Sequence, residues 1–397
     1  MYSKELWALG TNRSVIRELN EYGQQQAKLV GPENVYNYTI GNPSIPAPPE
    51  VNEAVIEILR TTDSVEVHSY GSAIGDPETR QAIAEDLNRR YDAGVRAQDL
   101  FICCGSSPAL TAIFSALNAS PDSEILAIAP YFPEYKPFSL RAGCKFAVVP
   151  ADTETFQIDL DALEAMLTPN TQAVVVNSPN NPAGTVYTAD TIRALGDLLT
   201  RKGEAYGHPI YIVADEPYRE LVYDGVEAPF IPNLYPHTIV SYSYSKSLSL
   251  PGERIGYIYV PRQAADSADL YAAIAGAARA QGHICAPTLW QKVITRCAGL
   301  RPDLESYDRN RRALYDALLD MGYRVAKPDG AFYLFVQAPN GDDLVFAELA
   351  KKRNILVVPG VEFGCPGWVR ICYCVSHDLI LRSLPAFRGL MEEIQNS

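Results

Sequence analysis

The chain has 397 residues, 47% of them hydrophobic and 20% charged, with a formal net charge of −13. That is enough apolar material to bury a large core without disulfide or metal staples. The acidic balance argues against nucleic acid or an anionic membrane as the main partner, while leaving room for a local basic pocket. The eight cysteines show no CxxC spacing and the five histidines no HExxH grouping, so no metal site is expected. Cys103-Cys104 and Cys372-x-Cys374 lie in apolar runs and read as reduced core residues. The first residues lack a basic stretch followed by an apolar one, and no run approaches the roughly eighteen apolar residues of a membrane span. A soluble, cytoplasmic protein is the expectation.

Residues 1–35 read as a polar helical arm. Tyr36 to Pro43 is extended, and Pro43, Pro46, Pro48 and Pro49 break any helix there. Helical patterns follow at Val51 to Arg60 and Glu78 to Tyr91, the second with Ile83, Leu87 and Tyr91 on one face. The middle of the chain alternates short apolar runs with helical stretches. The runs are Leu100 to Cys104, Ile125 to Ala129, Ala173 to Val176, Ile210 to Ala214, Thr238 to Tyr242 and Ile255 to Val260. Their continuity and β-branched content suit strands buried on both faces. Helices at Pro108 to Ala119 and Ala189 to Arg201 lie between them, so a mostly parallel sheet covered by helices is predicted. Beyond about residue 285 the pattern changes to two helices, Leu289 to Ala298 and Asp303 to Met321. Short strands follow at Ala331 to Val336, Ile355 to Val358 and Trp368 to Tyr373. The fold class is therefore α/β: a large domain over 50–285 and a smaller α+β domain made of 1–49 and 286–397.

In open α/β sheets ligands collect at the carboxyl ends of strands, and most of the unusual residues of this chain fall there. Gly105-Ser106-Ser107 joins a strand to a helix, where backbone N–H groups suit a phosphate, although ordinary helix capping accounts for it equally well. Pro130-Tyr131-Phe132-Pro133 offers an aromatic that can stack on a flat ring or simply fill core space. Asn177-Ser178-Pro179-Asn180-Asn181-Pro182-Ala183-Gly184 presents amides from a stiffened loop; a plain turn after a strand is the alternative, though the segment is long and dense for one. Asp215 follows a run of buried type and is costly there unless paired, a protonated ring nitrogen being one partner; on its own a helix-capping aspartate is the simpler account. Ser243-Tyr244-Ser245-Lys246-Ser247 places a lysine among hydroxyls after an apolar run, with Arg254 shortly beyond. Burial lowers a lysine pKa and frees its amine as a nucleophile, and the hydroxyls and Arg254 can hold a phosphate. Pyridoxal phosphate is held in this way, though a loop lysine near a turn fits the segment alone about as well. Arg370, inside the run Trp368 to Tyr373, matches a carboxylate in bidentate fashion or serves a structural salt bridge.

In order and spacing these pieces resemble the fold-type I pyridoxal-phosphate-dependent aminotransferases of the aspartate aminotransferase class, over about Tyr36 to Arg370. The resemblance implies pyridoxal 5'-phosphate carried covalently on Lys246, which also acts as general acid and base. It implies Asp215 on the pyridine nitrogen, Tyr218 and Asn181 on the phenolic oxygen and Phe132 stacked on the ring. Ser106, Ser107, Ser243 and Arg254 hold the phosphate. Tyr70 reaches the phosphate of a neighbouring subunit, which makes the protein a homodimer. Arg370 grips the substrate α-carboxylate, helped by Asn181, with the backbone near Gly41 closing over it. The chain departs from the family pattern at Ala183, where Thr or Ser is usual, at Pro108, more often polar, and at Phe132, where some members carry Trp or Tyr.

Transamination between an L-amino acid and a 2-oxo acid is the expected reaction. A C–S β-lyase of the cystathionine β-lyase type shares the same cofactor cradle and is the alternative. A non-catalytic regulator on this fold would need an added DNA-binding module, for which there is no basic N-terminal segment. Arg279 is a candidate for a substrate side-chain carboxylate, an exposed helix arginine being the plainer account.

Overall fold

The protein is described here by a computed structural model. It describes residues 1–11 and 14–396; positions 12 and 13, inside the expected helical arm, and residue 397 lie outside the described residues. The strands in chain order are β1 (Tyr36–Asn37), β2 (Leu100–Cys103), β3 (Glu124–Ile128), β4 (Lys145–Val149), β5 (Thr171–Asn177) and β6 (Tyr211–Asp215). β7 (Thr238–Ser243), β8 (Gly256–Tyr259), β9 (Tyr333–Gln337), β10 (Ile355–Leu356), β11 (Val358–Pro359) and β12 (Trp368–Cys372) follow.

β2 to β8 form one seven-stranded sheet in the order β2-β8-β7-β6-β5-β3-β4. β8 runs antiparallel to β2 and β7, and the other pairings are parallel. β2, β3, β5, β6 and β7 therefore end on the same edge. Their side chains alternate between two cores, as period-two strands covered on both faces must. Ile102, Ile212, Ala214 and Val240 pack with Leu195, Leu199 and Val293 on one face. Phe101, Cys103, Val213 and Ile239 pack with Ile113, Phe114 and Ile274 on the other. The second face carries the helices Ser106–Ala116 and Ser267–Ala280.

β9, β11 and β12 form a separate antiparallel sheet in the order β11-β12-β9. It has its own core of Phe332, Leu334, Val336, Val369 and Ile371, covered by Leu314, Leu318 and Phe387 of the helices Leu304–Asp320 and His377–Gln395.

The structure differs from the expected elements in several places, among them the helices Ser267–Ala280, Asp343–Lys352 and His377–Gln395, which the sequence reading did not name. The run Ile355 to Val358 is not one strand: β10 pairs in parallel with β1, and β11 pairs with β12. The break serves the N-terminal segment, because Tyr38 accepts from Cys372 N at 3.0 Å and so carries residues 38–41 alongside β12. β4 was not among the expected runs; it begins at exposed Lys145, and only Val149 of its five residues is buried. The helical arm is two helices, Lys4–Thr11 and Val15–Val30.

Candidate active site

A cavity of about 290 Å3 opens at the shared strand edge. Its lining includes Gly41, Ser106, Ser107, Phe132, Asn181, Asp215, Tyr218, Lys246, Arg254 and Arg370, from segments scattered across the whole chain. Residues as far apart as Gly41 and Arg370 thus meet: Ser106, Ser107, Phe132, Asn181, Asp215, Tyr218 and Lys246 end or follow strands at that edge, while Arg370 comes from β12 of the small sheet and Gly41 from the segment after β1.

Lys246 lies on a single helical turn, Tyr244–Ser247, that begins where β7 ends. Ser243 caps the turn by accepting from Ser245 N at 3.2 Å. The half-buried lysine extends into the cavity, where Nζ donates to Gly41 O at 2.5 Å. Burial holds its pKa below the usual lysine range, because the charged form loses solvation there.

Asp215 ends β6. Its Oδ2 accepts from the Tyr135 hydroxyl at 2.6 Å, while Oδ1 is buried without a partner. Burial raises its pKa to about 7. The next carboxylate, Glu216, turns into the protein and pairs with Arg219. Both adjacent acids keep one unpartnered oxygen, but Glu216 is ion-paired inside the fold and Asp215 is the one that lines the cavity. Asn177, ending β5, braces this region by donating to Asp215 O at 2.8 Å and accepting from Asn181 N at 2.8 Å.

Ser106 and Ser107 form the first turn of the eleven-residue helix Ser106–Ala116, where N–H groups lack intrahelical partners. Gly105 before them has φ +86°, and a Cβ there would meet Arg254 Nη2 at 2.7 Å. Only glycine lets the guanidinium close over this helix start. Phe132 follows β3 and meets Tyr135 edge-on, with centroids 5.6 Å apart.

On the opposite side, Arg370 of β12 is buried and its partners are neutral oxygens. Nη1 donates to Asn181 Oδ1 at 2.9 Å and Nη2 to Thr39 O at 2.6 Å, while Nε has no partner. The salt bridge weighed for this arginine is not what holds it. Its guanidinium lies 4.8 Å over the Tyr333 ring. Tyr333 and Tyr218 share a hydrogen bond of 2.8 Å between their hydroxyls. Gly41 packs so closely on Tyr333 that a Cβ would lie 2.2 Å from its hydroxyl oxygen.

Three expected residues lie off this lining. Ser243 is buried beneath it with Oγ 2.6 Å from Ser245 Oγ, and Ser245 is the hydroxyl residue that lines the cavity. Tyr70 is 87% exposed and borders a different depression, with Cys104, Cys285 and Thr288. Arg279 is exposed near the end of Ser267–Ala280. The lining also holds residues to which the sequence assigned no individual role: Tyr333, Ile16 and Ile40, together with Asn177 of the amide-bearing loop and Ser245, one of the hydroxyls grouped around Lys246. Asn177 carried the same signal as Asp215, a polar residue ending an apolar run. Tyr333 carried none, since a tyrosine within Ala331 to Val336 reads as core.

Residues 33–385 match the family described as aminotransferase class I and II. A probable aspartate/prephenate aminotransferase of Thermus aquaticus is 31% identical over 365 residues, covering 89% of this chain and 91% of that protein. Among solved structures, an aminotransferase from Eubacterium rectale superposes with a TM-score of 0.98 at 51% identity, covering 99% of each chain. The aspartate aminotransferase of Thermus thermophilus with maleate gives 0.83 at 26% identity, over 98% of this chain and 100% of that one.

Proposed function

The chain belongs to the class I and II aminotransferase family, and from that premise we propose how its residues divide the work of a pyridoxal-phosphate-dependent transaminase. The enzyme moves an amino group from an amino acid to a 2-oxo acid, and pyridoxal 5'-phosphate is its cofactor. That group supplies an aldehyde that exchanges amines and a ring that withdraws electrons from the substrate.

The residues present fit the group. The unpartnered Asp215 Oδ1 is a ready acceptor for a protonated ring nitrogen, and that pairing offsets the carboxylate's desolvation. The Gly105 turn, with Ser106, Ser107 and Arg254, forms a cradle that a Cβ would fill, suited to a phosphate. Ser243 supports the phosphate side through its bond to Ser245. Phe132 covers one face of the ring. Tyr218 and Asn181 hold the phenolic oxygen.

Lys246 Nζ would hold the group covalently and, as the free amine, would take the proton from the substrate α-carbon and deliver it to the group's own carbon rather than back, the 1,3-shift that amino transfer requires. Its lowered pKa favours the neutral amine that this transfer requires. Arg370 turns its guanidinium from the Thr39 carbonyl to the substrate α-carboxylate, with Asn181 keeping it in plane. The backbone at Gly41 closes over the bound substrate.

We further infer a homodimer in which Tyr70 reaches the neighbouring phosphate, a reading supported by its exposed ring. Residues 50–285 serve as the cofactor-binding domain, and 1–49 with 286–397 as the domain that closes on it. The cytoplasm is the proposed location; no helix among the described residues is long and apolar enough to cross a membrane.

The observation that carries this reading is the convergence of Lys246, Asp215 with its open oxygen, and Arg370 on one cavity. The test is to incubate holoenzyme with a panel of amino acids and 2-oxoglutarate, with a cystathionine-like thioether alongside. Oxo acid and glutamate formed in equal amounts are expected. Free thiol released without amino transfer would overturn it in favour of β-elimination.

A further inference from the structure

Tyr333 occupies a junction that no part of the reaction so far described uses. It is 2% exposed, lines the cavity, and has its hydroxyl 2.8 Å from that of Tyr218. Its ring lies 4.8 Å from the Arg370 guanidinium carbon, and its hydroxyl is the atom against which Gly41 packs. One side chain thus touches the phenol at the cofactor end, the cation at the substrate end and the backbone that accepts from Lys246.

Two hydroxyls in contact share one proton along the line between them, so one donates and the other accepts. Tyr218 has a single O–H. If that proton points at the cofactor's phenolic oxygen, as proposed above, the proton between the tyrosines must come from Tyr333. Donation into the Tyr218 oxygen polarises the Tyr218 O–H and makes it a stronger donor in turn.

We propose that Tyr333 is a positioning residue that commits the Tyr218 proton to the cofactor's phenolic oxygen while seating Arg370 at the substrate end. The inference rests on the cofactor reading given above. The groups that face the pair are Arg370, Cys372 and Cys374 from β12 and the segment after it, Asp215 from β6, and Tyr135, which bonds Asp215; Lys246 stands beyond them, beside the same arginine and cysteines. A titration near neutrality reports on Asp215, Lys246, Cys372 or the cofactor.

A stronger donor at the phenolic oxygen favours its ionised form and lowers the pH at which the cofactor chromophore changes. Tyr333→Phe keeps the ring that Arg370 rests on and removes the donation. The midpoint of the absorbance change should rise by roughly half a pH unit, and kcat/KM for an amino acid should fall severalfold. Tyr323→Phe is the control: it removes a buried hydroxyl that bonds Phe387 O at 2.9 Å, away from the cavity. Its titration should overlay the wild type. 3-Fluorotyrosine at position 333, a more acidic donor of nearly the same shape, should move the midpoint downward. It supplies the test if the Phe variant folds poorly. A Tyr333→Phe titration that overlays the wild type, or equal upward shifts from both substitutions at 333, would overturn the inference. A wild-type protein that develops no cofactor absorbance would instead overturn the cofactor reading itself.

Discussion

The wall of the cavity formed by strand ends and the wall that closes over it are held in place differently. In the first, Ser106, Phe132, Asn181, Asp215 and Lys246 each follow a strand of one sheet, and neighbouring strands fix their spacing. Moving any of them means moving a ladder buried on both faces. The second wall consists of Tyr333 and Arg370, on β9 and β12 of the small antiparallel sheet, and of Gly41, brought in beyond the short β1–β10 pair and packed on Tyr333. On the proposed reading, its bonds to Lys246 and Thr39 O are ones that an incoming carboxylate or a displaced lysine would replace. The first wall suits a cofactor that stays, and the second a substrate that comes and goes.

Substitutions can break that contrast or sharpen it. Lys246→Ala should reduce turnover by roughly 10⁴-fold or more, since it removes both the proposed covalent anchor and the proposed proton carrier, while thermal stability holds. Residual turnover above a few per cent would place the chemistry elsewhere. Arg370→Lys, in the second wall, should raise KM for amino acids by about 10²-fold and leave cofactor affinity near wild type. An equal loss of cofactor binding would show that the two walls are not separate.

Asp215 gives a pH signature for the first wall. Its folded-state pKa of about 7 lies above that of an exposed aspartate, so the cofactor-free fold binds this proton more tightly than the unfolded chain does. The associated stability is full at low pH and is lost as pH rises through about 7. Asp215→Asn removes the dependence. The melting-temperature gap between the Asn variant and wild type, both without cofactor, should therefore widen from pH 5 to pH 7 and then level off. A constant gap would mean that burial does not raise this group. The smallest effect is expected from Gly41→Ala, whose methyl would meet the Tyr333 hydroxyl. Overpacking of this kind costs about 1–3 kcal/mol, felt here as a roughly tenfold rise in KM with little change in cofactor binding.

The first wall was largely legible in the sequence for a physical reason. A polar residue that ends or closely follows an apolar run has nowhere inexpensive to go, so Asp215, Asn181 and Lys246 together point to a strand edge, although Asp215 and Lys246 each have a plainer account alone. Arg370 announced itself too, but its partners did not: an arginine in an apolar run says only that oxygens are near, and these are carbonyl and amide oxygens. Tyr333 was hidden because tyrosine is at home in a strand, and its hydroxyl acquires meaning only beside Tyr218. Ser243 and Ser245 alternate along the chain, so only the turn after β7 decides that Ser245 meets the cavity and Ser243 caps the turn. The splitting of residues 355–358 between two sheets depended on Tyr36–Asn37, a pairing from the far end of the chain that no local pattern reports.

The central claim is that Lys246 carries the cofactor. Reducing the holoenzyme with borohydride, digesting it and sequencing the modified peptide by mass spectrometry tests it most directly. The account predicts the reduced cofactor on the peptide containing Ser245-Lys246-Ser247, and on no other lysine. Modification of a different lysine, or a cofactor that leaves the reduced protein on denaturation, would contradict it.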